Sequence, residues 1–205
     1  MIIIPEKEIV LVTPPRTGST SLWNQVSRSF PLAFRIYRHM EADGVPFGYD
    51  RWRRVGVFRD PIARLWSLYH YCRHIAFTDR GTPTWRAKLW LSVQPPFEEW
   101  LVDNMMVFAD PLDSATMGYH PRYSVRNALP ENRKSQFLYL RPDLGVDVLL
   151  LDEVMLLLDL DARSKLNSSD APQHPDWGEL GTVARNHLIA FHSWDLEHSR
   201  VRAAA

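Results

Sequence analysis

The feature that most limits the fold is an abrupt change of periodicity near the N-terminus. The short apolar run Glu8-Ile-Val-Leu-Val-Thr13 stops at Pro14-Pro15, and from Leu22 the apolar residues Leu22, Val26 and Phe30 recur at every fourth position until Pro31. A run this short and this apolar reads as a buried strand, and a spacing of four marks one face of a helix. Pro31 ends that helix. The segment between them, Thr13-Pro-Pro-Arg-Thr-Gly-Ser-Thr-Ser21, is therefore a tight strand-to-helix turn.

Such a turn has the layout of an anion cradle. Backbone N–H groups converge on one point, and the helix N-terminus adds about half a positive charge. Gly18 allows close backbone approach, while Ser19, Thr20 and Ser21 offer hydroxyl donors. Ser19 stands where the loop of nucleotide triphosphatases carries its lysine, and no acidic strand end supplies a magnesium ligand. The same residues also suit a plain Ser/Thr-rich helix cap after a proline turn.

A second strand-to-helix junction follows. Val55-Gly-Val-Phe58 leads into Arg59-Asp-Pro-Ile-Ala-Arg-Leu-Trp-Ser-Leu-Tyr69, with Pro61 suited to the first helical position. That helix buries Ile62, Leu65, Trp66 and Tyr69. Strand ends in a doubly wound sheet line one ligand crevice. Arg59 at the strand end and Ser67, two turns into the helix, thus suit a second anion; Arg64 suits either that site or a structural pair with Asp60.

Elsewhere the pattern predicts strands at Ala33–Tyr37, Gln136–Leu140 and Asp147–Leu151. Helices are predicted at Phe97–Met105, from Glu153 to about Leu160, and near Leu180–Phe191, with a stretch that is mostly loop over Thr78–Pro96, holding a short helix at Trp85–Leu91, and no clear period over Ala109–Arg126. Strands alternating with helices imply one α/β domain over residues 1–205 with a central, mostly parallel sheet flanked by helices.

Charge narrows the function. The 205 residues carry no net charge, which argues against holding nucleic acid by bulk electrostatics. Residues 1–80 nevertheless hold 12 basic against 7 acidic side chains, and 20 of the 24 basic residues in the chain are Arg. The guanidinium fork matches phosphate and sulfate oxygens. One cysteine, Cys72, excludes an internal disulfide framework. Met1–Ile4 is too short for a signal-peptide core, and Val146–Leu160 is broken by acidic residues. A soluble, cytoplasmic protein is the expectation.

Taken together, the two junctions resemble the sulfotransferase family, particularly its carbohydrate and membrane-associated branch. Thr13-Pro-Pro-Arg-Thr-Gly-Ser-Thr-Ser-Leu22 is similar to the family's 5′-phosphosulfate loop. Arg59–Tyr69 matches its 3′-phosphate motif, R-[DN]-P-x-x-R-x-x-S-x-Y, throughout. Weaker similarity runs through Phe97-Glu-Glu-Trp100, the 136–153 segment, Leu166-Asn-Ser-Ser169 and Asp195-Leu196. The resemblance implies a P-loop-like three-layer fold that binds 3′-phosphoadenosine 5′-phosphosulfate (PAPS) and releases the 3′,5′-bisphosphate (PAP) without a metal. It assigns Arg16, Thr17, Gly18, Ser19, Thr20, Ser21, Arg59 and Ser67 to the donor. It also places Arg16 at the family's catalytic basic position, usually Lys. A protonated Arg stabilises charge on a leaving oxygen but does not donate a proton.

Sulfuryl transfer needs in-line geometry and a base for the incoming hydroxyl, and the carbohydrate branch implies a saccharide as its bearer. The base should lie on the strand end next to the loop, and the Ala33–Tyr37 strand is expected to deliver Arg38-His-Met-Glu41 there, which makes His39 the first candidate base and Glu41 its rival. Trp85 and Trp90 are candidates for an acceptor wall, whereas Trp100 reads as core. His70, Cys72 and His74 fall short of a structural zinc set. The alternatives are a nucleotide or small-molecule kinase, a nucleotide-binding module without turnover and, more distantly, a nucleic-acid binder using the basic N-terminal half.

Overall fold

Ile9, Val10, Leu11 and Val12 are buried on both faces of a strand, so this segment lies inside a sheet. In the computed structural model the described residues form two compact units. The first comprises 1–36, 39–59 and 136–161; the second comprises 60–77, 95–103, 129, 131–135 and 173–203. The side chains of residues 72 and 74–77 lie outside the description.

The first unit holds a five-stranded sheet of order β3-β1-β2-β4-β5. Its strands are β1 (Ile2–Ile4), β2 (Ile9–Val12), β3 (Phe34–Arg35), β4 (Arg53–Phe58) and β5 (Asp147–Leu150). β1 pairs antiparallel with β2, with Ile2 opposite Leu11, and antiparallel with β3. The β1–β2 connection is a single tight turn at Pro5–Lys7, closed by Glu8 in the left-handed region. β2 runs parallel to β4, and β4 parallel to β5, with Val12 opposite Gly56 and Phe58 opposite Leu150.

Helix α1 (Ser19–Ser29) follows β2, and its Leu22, Val26 and Phe30 side pack against Ile2, Ile4, Ile9, Leu11, Val55 and Val57. Val154, Met155 and Leu158, in and just beyond a later helix (Leu151–Leu157), complete that core. Fully burying a Leu or Val contributes about 1.5–3 kcal/mol, so this layer dominates the unit's stability. On the opposite face of β4, Gly56 makes room for Leu140 from the short helix Gln136–Leu140. A Cβ at Gly56 would lie 2.7 Å from Leu140 Cδ2.

The second unit is helical among its described residues. It contains α2 (Pro61–Phe77), α3 (Phe97–Val102) and the long terminal helix Thr182–Ala203, kinked at His192. The short helices of the first unit, Gln136–Leu140 and Leu151–Leu157, are then α4 and α5, and the terminal helix is α6. Leu65, Leu68, Tyr69, Phe97, Trp100 and Leu188 are buried, with Tyr69 ringed by Trp66, Phe97 and Trp100. Trp100 is core, as its spacing from Phe97 predicted.

Several expectations need correction. The sheet is mixed: two of its four pairings are antiparallel, because β1 turns back on β2 and β3 adds to β1. Met1–Ile4, read above only for its bearing on a signal peptide, supplies that extra strand. Gln136–Leu140 is a helical turn, not a strand. A five-residue apolar run has no periodicity long enough to separate the two. Arg64 does not pair with Asp60. Its guanidinium, wholly buried, meets Glu131 Oε2 at 3.2 Å and donates to Lys134 O. Asp60 instead caps α2 through Ala63 N–H and accepts from Ser199 Oγ. α5 begins two residues earlier than predicted and α6 runs twelve residues further.

Candidate functional site: the loop between β2 and α1

β2 and β4 are adjacent and parallel, so their C-terminal ends emerge side by side. Thr13–Gly18 leaves the first and Arg59 the second. The loop is braced internally by Thr17 Oγ1 donating to Pro14 O at 2.8 Å. Arg16 (φ 67°) and Gly18 (φ 90°) both adopt the left-handed region, which is unusual for the arginine and natural for the glycine. Gly18 is the N-cap of α1 and has no side chain with which to cap it. The first-turn N–H groups of a helix have no intrahelical acceptor, so those of α1 face the loop end. Ser19 and Thr20 are half-buried in this first turn, and Ser21 and Thr17 are buried.

Gly18 has a second reason to be glycine. A Cβ there would stand 2.6 Å from Cδ2 of Leu151, the first residue of α5. Glu153 in α5 reaches back to accept from Leu150 N–H, fixing where that helix starts.

Arg59 joins the loop directly, its Nη1 donating to Arg16 O at 3.0 Å. The two segments that the sequence singled out independently therefore meet in the first unit. Ser67 belongs to the second unit, where it is buried in α2.

His39 also reaches the loop. Its Nδ1 lies 2.9 Å from Thr13 O. A carbonyl only accepts, so Nδ1 carries the proton and the lone pair of the neutral ring falls on Nε2. This placement does not come from a strand beside β2, as predicted: β3 lies one strand further out, beyond β1, and the chain after it returns to Thr13. Tyr37 and Arg38 are outside the described residues.

Glu41 is buried two residues on and lies within the field of Arg141. Arg141 titrates above its already high usual range. Its hydrogen bond to Asp143 is the main cause; burial opposes this, and the charges of Asp143, Asp43 and Glu41 reinforce it. Its guanidinium binds Asp143 at 2.6 Å and Asp43 at 3.4 Å, so it ties Asp43 to the turn Pro142–Leu144 that precedes β5. Sequence reading missed Arg141, and nothing in its local pattern marks it.

Chemically, the loop end gathers hydrogen-bond donors and positive charge from Gly18, the first turn of α1, Arg16 and Arg59, and the His39 imidazole lies at the Thr13 start of the same loop. That set suits an anionic group and a nearby proton acceptor. Among the described residues no cluster of three or more His, Cys, Asp or Glu is arranged for a metal ion. Trp85, Trp90, Asn167 and Ser168 lie outside the described residues. Among the described residues no helix is long and apolar enough to cross a membrane. Comparison of the chain with family models, curated proteins and solved structures gives no match.

Proposed function

We propose that this chain is a sulfotransferase that moves the sulfuryl group of PAPS to a hydroxyl acceptor, a saccharide by preference. The observation that carries the reading is the 3.0 Å hydrogen bond from Arg59 to Arg16 O, which joins two segments that resemble the family's two donor motifs. In this reading the backbone N–H groups at Gly18–Ser21 and the hydroxyls of Ser19, Thr20 and Ser21 hold the 5′-phosphosulfate, while Thr17, its hydroxyl donating to Pro14 O, braces the loop that presents them. Arg59 takes the 3′-phosphate, and Ser67 is added to it by the sequence resemblance alone.

His39 Nε2 accepts the proton of the acceptor hydroxyl as its oxygen attacks sulfur. The bond between sulfur and the 5′-phosphate oxygen breaks on the opposite side. Arg16 and the loop N–H groups stabilise the charge that develops on that leaving oxygen. Glu41 is the alternative proton acceptor.

Calorimetric titration with adenosine 3′,5′-bisphosphate, with ADP, and with ATP plus magnesium tests the donor assignment. Metal-independent binding of the bisphosphate alone is the expected result. A preference for ATP with magnesium overturns the reading in favour of a phosphotransferase. Binding of none of them leaves the loop a structural turn.

A further inference from the structure

The ladder of β4 ends at Phe58, opposite Leu150, and the parallel pairing with β2 ends at Gly56. Arg59 is one residue beyond, where a backbone N–H and C=O lose their strand neighbours and need other partners. Gln136 supplies both. Its Oε1 accepts from Arg59 N–H at 3.0 Å, and its Nε2 donates to Arg59 O at 2.7 Å. Gln136 is fully buried, at 0% exposure, and only one orientation of its amide satisfies both bonds. The side chain acts as a one-residue continuation of the sheet. It can do so because α4, which begins at Gln136, sits close on β4 over Gly56.

We infer that Gln136 is a positioning residue for the donor site: it holds the Arg59 peptide so that the guanidinium stays on Arg16 O, and thereby sets selectivity for a nucleotide bearing a 3′-phosphate. A long arginine side chain loses rotamer freedom when it grips a ligand, and an anchored backbone with one N–H already committed reduces that loss. The inference rests on the donor reading above, which gave Gln136 no role.

The test compares Gln136→Met, which removes both bonds, with Gln136→Glu, which keeps an acceptor for Arg59 N–H but places a carboxylate against Arg59 O. Each variant is titrated with adenosine 3′,5′-bisphosphate and with adenosine 5′-monophosphate. Affinity for the bisphosphate should fall about tenfold, with the monophosphate changed less than about twofold. In an Arg59→Ala background, Gln136→Met should cause no further loss, because the two residues act as one unit.

Equal losses for both nucleotides, additivity with Arg59→Ala, or failure of both variants to fold would make Gln136 structural only and overturn the inference. If the unsubstituted protein shows no preference for the bisphosphate, the donor reading itself fails. A preference that survives both substitutions sinks only the role of Gln136.

Discussion

Because Thr13 O can only accept, the 2.9 Å contact from His39 Nδ1 does two things: it orients the ring and keeps the basic nitrogen at Nε2. Under the proposed reaction this separates anchoring from proton transfer, so the two can be removed independently. His39→Asn retains a donor able to reach Thr13 O but has no Nε2. It should leave adenosine bisphosphate binding intact and lower turnover by about 10²-fold. Unchanged turnover would move the base to Glu41. Arg59→Ala should weaken bisphosphate binding by about 2–4 kcal/mol, as loss of a charge-assisted contact does, and hardly affect a nucleotide lacking the 3′-phosphate. Equal losses in the two titrations would end the clamp assignment. Both side chains were readable as candidates from their positions after predicted strands. Gln136 was not, since a glutamine ahead of an apolar run carries no local signal of what its amide will meet.

At the scale of elements, the β2–α1 loop is held between Arg59 on one strand end and the first residue of α5. Gly18 is where the second constraint acts. Gly18→Ala combines an unfavourable φ of 90° with a Cβ 2.6 Å from Leu151 Cδ2, and should cost about 1–3 kcal/mol. Leu151→Ala in the same chain should recover part of that loss, leaving only the backbone term. Thermal melts of the two single variants and the double variant measure the coupling, and simple additivity would show that Leu151 does not press on the loop. β2, β4 and β5 and the helices α1, α2 and α5 were legible because each joins a clear apolar pattern to a proline, glycine or charge boundary. α4 was misread because five residues are too few to carry a period. β1 escaped notice as a strand because three isoleucines at a terminus have no flanking pattern to place them.

Among the described residues, the groups whose shifts make acid destabilising, His70, His187 and Asp195, lie in the second unit. His70 lies against Trp66 and Tyr69; burial, and secondarily the charge of Arg73, hold its imidazole below the usual value near 6.5. His187 is likewise lowered, first by burial and then by His192 and Arg133, although its hydrogen bond to Asn132 O opposes this. Asp195 is also lowered. Burial works against that shift, but His192 at 3.2 Å, then Arg64, and Ser135 Oγ at 2.6 Å outweigh it.

For the two imidazoles the unfolded chain binds protons more readily than the folded one. Their contribution is complete above about pH 6.5 and is lost as pH falls below it. The Asp195 contribution holds above its usual carboxylate range and is lost only as pH falls through its lower folded value. Thermal melts should therefore show Tm decreasing from pH 7.5 to pH 5.5, with a smaller decrease in His70→Phe, which keeps the ring packing without a titrating group. A Tm that rises over this interval would contradict the assigned directions.

The sequence alone determined the strand–loop–helix at 8–30 and the arginine-bearing junction at 55–69, because both depend on interactions between near neighbours: apolar periodicity, proline stops and the backbone freedom of Gly18. Tertiary structure decided what those segments meet. The pairing of β1 with β2, the return of His39 to Thr13 O, the fork of Arg64 onto Glu131 and Lys134 O and the amide of Gln136 on the Arg59 peptide join residues 5 to 77 positions apart. Such contacts follow from how buried polar groups find partners once the core has closed, and no local pattern of residues encodes them.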